Sequence, residues 1–238
     1  MATTLLKASW NNLFMANYVI DPKVLLPYLP YGTELDLFEG KCYVSLVGFM
    51  FLDTKLIGIK FPFHTNFEEV NLRFYVKYND KGTIKRGVVF IKEIVSKHML
   101  ALIANTLYNE KYERMPMKES LTEEDGVVSV SYEWFKEEWH SINVEFTKEL
   151  TTIAAESEEE FITEHYWGYN KVNENVSTEY GVEHPRWSVY KLLNHSIKVD
   201  FGKVYGADFE FLNDLQPDSV FVADGSKVVI KKGKKISS

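Results

Sequence analysis

Residues 67–78 alternate with a period of two. Val70, Leu72, Phe74 and Val76 fall on one side of an extended backbone, and Glu69, Asn71, Arg73, Tyr75 and Lys77 on the other. The pattern predicts a strand. The cluster Asn79-Asp80-Lys81-Gly82 then turns the chain into a returning strand over 87–95. A second antiparallel pair is expected over 127–136 and 141–148, where Ile142, Val144 and Phe146 alternate with Ser141, Asn143, Glu145 and Thr147. Segments 35–38 and 42–51 read as strands joined by a hairpin at Glu39-Gly40, and 220–230 as a closing hairpin turned by Asp224-Gly225. Helical spacing is rarer. Leu100, Ile103, Ala104 and Leu107 predict a helix over 97–110, and Asp21-Pro22 opens a short helix over 21–29. Ser157 and Glu160 form a capping box for a third, running to about His165.

Many antiparallel strands with two or three short helices define an α+β, strand-dominated class whose sheet curves or closes on itself. No repeat or Pro/Gly/Ser-rich linker divides the chain, so residues 1–238 are read as one domain. Hydrophobic residues at 45% and charged residues at 26% place the chain among packed globular proteins and outside the disordered range. With 27 basic and 34 acidic residues the net charge is −7, which repels phosphate backbones and argues against a nucleic-acid partner. The one basic run, Lys227, Lys231, Lys232, Lys234 and Lys235, reads as the solvated face and frayed end of a last strand. Cys42 is the sole cysteine, set among apolar neighbours, and reads as an inert buried thiol. Neither a secretory signal nor an 18-residue apolar run is visible, so the expectation is a cytoplasmic protein without a membrane partner.

Familiar catalytic signatures are missing: G-x-S-x-G, H-E-x-x-H, the P-loop and G-x-G-x-x-G do not occur. The histidines at 64, 98, 140, 165, 184 and 195 share no metal-ligand spacing, so neither metal nor cofactor is expected. Candidate chemistry lies instead on the polar side of 67–78. If that side faces solvent, Glu69, Asn71, Arg73 and Tyr75 are an ordinary hydrated strand face. If the sheet curves so that it faces inward, the same acid, amide, guanidinium and phenol line a pocket. Arg73 would then pair with a carboxylate, and a desolvated Glu69 would have a raised pKa suited to proton transfer. Two further clusters bring polar aromatics beside histidine: Glu164-His165-Tyr166-Trp167-Gly168-Tyr169 and His184-Pro185-Arg186-Trp187.

Several of these segments carry a resemblance. Trp10, Val19-Ile20-Asp21-Pro22, Leu29-Pro30, Leu35-Asp36-Leu37-Phe38-Glu39-Gly40, Phe67-Glu68-Glu69-Val70-Asn71-Leu72-Arg73-Phe74-Tyr75-Val76, Gly87-Val88-Val89-Phe90, Phe161-Ile162-Thr163-Glu164-His165-Tyr166 and Ala223-Asp224-Gly225-Ser226 resemble the YqjF-like family of domains of unknown function. That family is similar in fold to the acetoacetate decarboxylases, in which strands wrap into a cone-like β-barrel around a buried site. The resemblance implies that the Glu69 face turns inward and that Glu69 sits on the strand holding the active-site carboxylate. Those enzymes form a Schiff base on a lysine whose pKa a neighbouring cation depresses. The corresponding stretch here, Tyr108-Asn109-Glu110-Lys111-Tyr112, places Tyr112 where that lysine would stand. Lys111 is one residue early and beside Glu110, and Lys118 is reached only by a register shift. Three readings follow. The chain is an enzyme acting on a small organic acid, with Glu69 as acid/base, Arg73 as anchor, and Tyr75, Tyr108, Tyr112, Glu164, His165, Tyr166, His184 and Trp187 as lining. Alternatively it is a binding or sensing domain without turnover, or an assembly protein with a filled barrel; a homo-oligomer is compatible with each.

Overall fold

The computed structural model describes residues 3–61, 65–96 and 111–237. The helix expected over 97–110, and with it Tyr108, lies outside the described residues. Among the described residues fourteen strands join in one sheet. In chain order they are β1 (Thr4–Ile20), β2 (Thr33–Leu35), β3 (Cys42–Leu56), β4 (Phe67–Asp80), β5 (Thr83–Val95), β6 (Tyr112–Arg114), β7 (Met117–Glu124), β8 (Val127–Lys136), β9 (Glu138–Thr152), β10 (Trp167–Asn173), β11 (Val176–Glu183), β12 (Ser188–Lys198), β13 (Ser219–Lys231) and β14 (Lys234–Ser237). Helix α1 (Glu158–Thr163) precedes β10, and α2 (Phe201–Tyr205) follows β12.

Pairing follows the order β11-β10-β5-β4-β3-β1-β13, and β13 pairs back onto β11 through Val182↔Ile230 and Glu183↔Val229. Seven strands therefore ring round, which removes most of the open edge that a free sheet would expose. From β13 the sheet continues as β12-β9-β8-β7 and folds over the outside of the ring. The ring strands are consequently buried on both faces. Their outer face (Val44, Leu46, Val70, Leu72, Phe74) packs on Val130, Tyr132, Ile142, Val144 and Phe146 of β8 and β9. Their inner face (Leu13, Met15, Val47, Phe49, Phe51, Phe67, Tyr75) packs on Phe161 and Ile162 of α1. Each of these fully buried side chains contributes about 1.5–3 kcal/mol. The layers meet at Gly48 of β3, where an added Cβ would sit 2.9 Å from Tyr132 Cδ2.

The β4–β5 hairpin turns at Lys81 and Gly82, both at positive φ, as the turn cluster predicts. Ser157 Oγ accepts from Glu160 N at 3.2 Å, but Glu160 Oε2 accepts from Glu156 N instead of completing the box on Ser157. Four expectations need correction. Segment 21–29 is two 3₁₀ turns, Pro22–Val24 and Leu26–Tyr28, because Pro27 has no N–H to continue a helix. Glu39-Gly40 closes only the bridge Phe38↔Lys41, while β2 pairs with β4. Asp224-Gly225 does not turn a hairpin. Residues 219–231 are one strand, and Gly225, at positive φ, lies so close to β1 that a Cβ would meet the Trp10 carbonyl oxygen at 2.1 Å. The lysine-rich end is not frayed, since β14 pairs with β11, Ile236 is buried, and Lys234 reaches Asp80 and buried Glu179. Cys42 is buried as expected, and burial raises its thiol pKa to about 11.

Candidate functional site

A cavity opens inside the ring. The centre of a water molecule can move through about 110 Å³ of it, room for several waters or one small organic molecule. Its wall divides into two parts. Leu5, Leu6, Trp10, Phe49, Phe51 and Phe67 form an apolar end, with Trp10 centred 5.2 Å from Phe49 and Phe51 stacked on Phe67 at 4.6 Å. Glu69, Asn71, Arg73, Glu93, Tyr112 and His165 form the polar end, with His184 and Trp187 completing the wall.

Strand β4 delivers three of the polar groups because alternation sends Glu69, Asn71 and Arg73 inward while Val70, Leu72 and Phe74 enter the outer core. Glu69 is 2% exposed. It accepts from Asn71 Nδ2 at 2.9 Å on Oε1 and from Tyr112 Oη at 3.1 Å on Oε2, so both carboxylate oxygens are engaged. Short β6 runs parallel to β5 and aligns Tyr112 with Glu93, itself opposite Asn71 on β4. Glu93 was not anticipated. A bulge places Ile91 as an extra residue between the pairs Arg73↔Phe90 and Leu72↔Lys92, and this reverses the alternation of β5. Val88 and Phe90 point inward before it, Glu93 and Val95 after it.

Arg73 is 8% exposed. Among the described residues its one hydrogen bond is a long contact from Nη2 to Met15 Sδ at 3.9 Å, and its buried Nε has no partner. Among the described residues no carboxylate forms an ion pair with it. Burying a guanidinium without an anion is costly, so the arrangement is one a bound anion would complete.

His165 follows α1 and stands beside the Tyr75 ring, 4.8 Å between centroids. Its side chain is 1% exposed, with Nε2 3.2 Å from Asp36 Oδ2, which also accepts from Arg86 Nε at 2.6 Å. Burial would raise the Asp36 pKa, but the hydrogen bonds from His165 and Arg86 outweigh it and hold the carboxyl below its ordinary value. Burial, aided by the charges of Arg86 and Arg73, lowers His165 to about 4 against the pull of Asp36. The ring is therefore neutral at pH 7. A carboxylate only accepts, so the proton is on Nε2, and Nδ1 presents a lone pair, buried and without a partner. His184 lies between Trp187, at 4.2 Å, and Tyr166, at 4.7 Å; its Nδ1 donates to Pro185 O at 2.9 Å, and burial lowers its pKa.

Other candidates fall elsewhere. Tyr75 is buried beside the cavity without lining it, its Oη 2.7 Å from Ser45 Oγ, which donates to Asn17 Oδ1. Glu164 accepts from Tyr166 Oη at 2.6 Å, and neither lines the wall. Lys111 alternates with inward Tyr112, so its Nζ points away, 5.1 Å from the Tyr28 ring. Lys118 Nζ sits 4.2 Å from the Trp139 ring on the outer layer. No described lysine lines the cavity. Among the described residues there is no cluster of three metal-ligating side chains, and no helix is long and apolar enough to cross a membrane.

The sequence profile of DUF2071, a family of uncharacterized conserved proteins, matches residues 7–227. The chain belongs to that family. The uncharacterized protein YqjF of Bacillus subtilis (strain 168) is 29% identical over 115 residues. That alignment spans 48% of this chain and 46% of YqjF, about half of each. Solved structures share the fold. Acetoacetate decarboxylase from Legionella pneumophila superposes with a TM-score of 0.66 at 14% identity, covering 99% of this chain and 88% of that one. An acetoacetate decarboxylase-like enzyme from Sphingomonas wittichii RW1 gives 0.64 at 12% identity, covering 99% and 94%. The enduracididine biosynthesis enzyme MppR, complexed with pyruvate, gives 0.63 at 12% identity, covering 100% and 92%. At such identities the likeness establishes the acetoacetate decarboxylase-like, strand-dominated fold for this DUF2071 member.

Proposed function

We propose that this DUF2071 chain, folded as one domain, binds a small organic acid in the ring cavity, with the ligand carboxylate on Arg73. The observation that carries this reading is the buried guanidinium at the cavity wall with no carboxylate partner among the described residues. Arginine matches a carboxylate with two parallel N–H donors, and in a dry site that pairing is strong and directional. Two similar folds point to the same ligand class: one is an acetoacetate decarboxylase and one was solved with pyruvate. The cavity and its buried polar row favour a ligand site over a filled barrel.

If the bound acid turns over, Glu69 takes the proton. Its carboxylate is positioned by the hydrogen bonds from Asn71 Nδ2 and Tyr112 Oη. Lysine-based decarboxylation is disfavoured, because Tyr112 occupies the wall and Lys111 and Lys118 lie away from it. Borohydride reduction in the presence of acetoacetate tests this: the intact mass should stay unchanged, and a covalent adduct on any lysine would restore the Schiff-base route. A thermal-shift screen with pyruvate, acetoacetate and longer acids tests binding itself. Stabilisation is expected in the wild type and absent in Arg73→Met. Binding without turnover would favour a sensing domain.

A further inference from the structure

We infer that the cavity selects an apolar 2-hydroxy acid over the corresponding 2-oxo acid. This rests on the organic-acid reading of Arg73 and adds to it the hydrogen-bond polarity of the neighbouring wall. Among the described residues three lining atoms besides those of Arg73 are buried without a partner: Trp10 Nε1, a donor at the apolar end, and His165 Nδ1 and Asn71 Oδ1 at the polar end. The two at the polar end are acceptors. Asp36 takes the Nε2–H of His165, which leaves a lone pair on Nδ1. Glu69 takes the N–H of Asn71, which fixes the amide so that Oδ1 is the remaining atom. Arg73 and His165 line the same cavity, and both lie near Tyr75: Arg73 Cζ is 5.7 Å and the His165 centroid 4.8 Å from the centre of its ring.

A ligand that satisfies this end therefore brings a carboxylate for the guanidinium and an O–H donor for an acceptor beside it. A hydroxyl on the carbon next to the carboxylate provides that donor. A keto oxygen in the same place has only lone pairs, and it would leave the acceptors unsatisfied or repel them. The rest of the ligand meets Trp10, Phe49, Phe51 and Phe67, a wall that rewards an aromatic or branched aliphatic tail and holds one polar atom, the Trp10 Nε1 donor.

Isothermal titration of the full chain at pH 7.5 with 2-hydroxy-4-phenylbutanoate, 2-oxo-4-phenylbutanoate, 4-phenylbutanoate and lactate separates the outcomes. The hydroxy acid should bind about fivefold or more tighter than the oxo and unsubstituted acids, the worth of one hydrogen bond. Lactate should be weaker than the phenyl hydroxy acid by at least about tenfold for want of the tail. In Asp36→Asn an amide N–H can face His165 Nε2, which moves the imidazole proton to Nδ1. The preference should then pass to the oxo acid, a reversal that a purely structural role for Asp36 would not produce. His165→Phe should abolish the preference, and if Asp36→Asn does not fold, that variant and the wild-type ranking still decide. Equal affinities for the hydroxy, oxo and unsubstituted acids, or a tighter oxo acid in the wild type, would overturn the inference while leaving Arg73 as anchor. Failure of every acid to bind would remove the organic-acid reading itself.

Discussion

The two faces of β4 have the same strand, the same depth of burial and opposite chemistry. Outward, Val70, Leu72, Phe74 and Val76 are wholly apolar and packed against the second layer of sheet. Inward, Glu69, Asn71 and Arg73 bring an acid, an amide and a cation into an open cavity, where Arg73 Nε and Asn71 Oδ1 have no partner among the described residues. The outer face has what stability requires, dense contacts with no polar atom to satisfy. The inner face has what stability alone would not retain. A buried cation and buried polar atoms without partners are a cost to the empty protein, and they make sense once a ligand completes them.

The contrast breaks first at Phe74. Phe74→Ala should cost about 3–5 kcal/mol in denaturant unfolding, since the residue is fully buried and its neighbours are held by two layers. A loss below 1 kcal/mol would mean that the outer core is not what holds the ring. Acid comes next. Below about pH 6.5 the unfolded chain protonates His165, while the folded chain resists until about pH 4. The unfolded state thus binds more protons over that window, and stability should fall as pH falls, by about 3 kcal/mol in full. His165→Phe should flatten this slope, and an unchanged slope would refute the neutral, buried imidazole. Gly48→Ala, at the contact between the layers, should cost about 1–3 kcal/mol, because its Cβ would press on the Tyr132 ring. At the small end, Lys118→Ala should alter neither stability, beyond about 0.5 kcal/mol, nor acid binding.

Much of this architecture is legible before any coordinates. Alternation over 67–78 separates the two faces of β4 correctly, and the same periodicity finds β8 and β9, because each strand has one regular register. What the sequence hides is non-local or irregular. A composition-based reading cannot tell whether the Glu69 face points to water or inward, since closure depends on β13 pairing with β11 some fifty residues away; only the resemblance indicated it. Glu93 is concealed by the Ile91 bulge, which breaks the period on which strand reading depends. Asp224-Gly225 has the residues of a hairpin turn, yet the close approach of β1 uses the same glycine freedom inside a continuous strand. The link from Asp36 to His165 joins positions 129 residues apart, so neither local cluster announces it.

The most direct test of the central claim pairs calorimetric titration of 4-phenylbutanoate with thermal unfolding, for the wild type and for Arg73→Met. Saturable binding to the wild type is predicted, with at least a tenfold loss in the variant, as removal of a charged hydrogen-bonding anchor implies. The variant should melt at the same temperature or higher once the buried charge is gone. A variant that binds as well as the wild type, or one that loses binding only because it unfolds, would contradict the account.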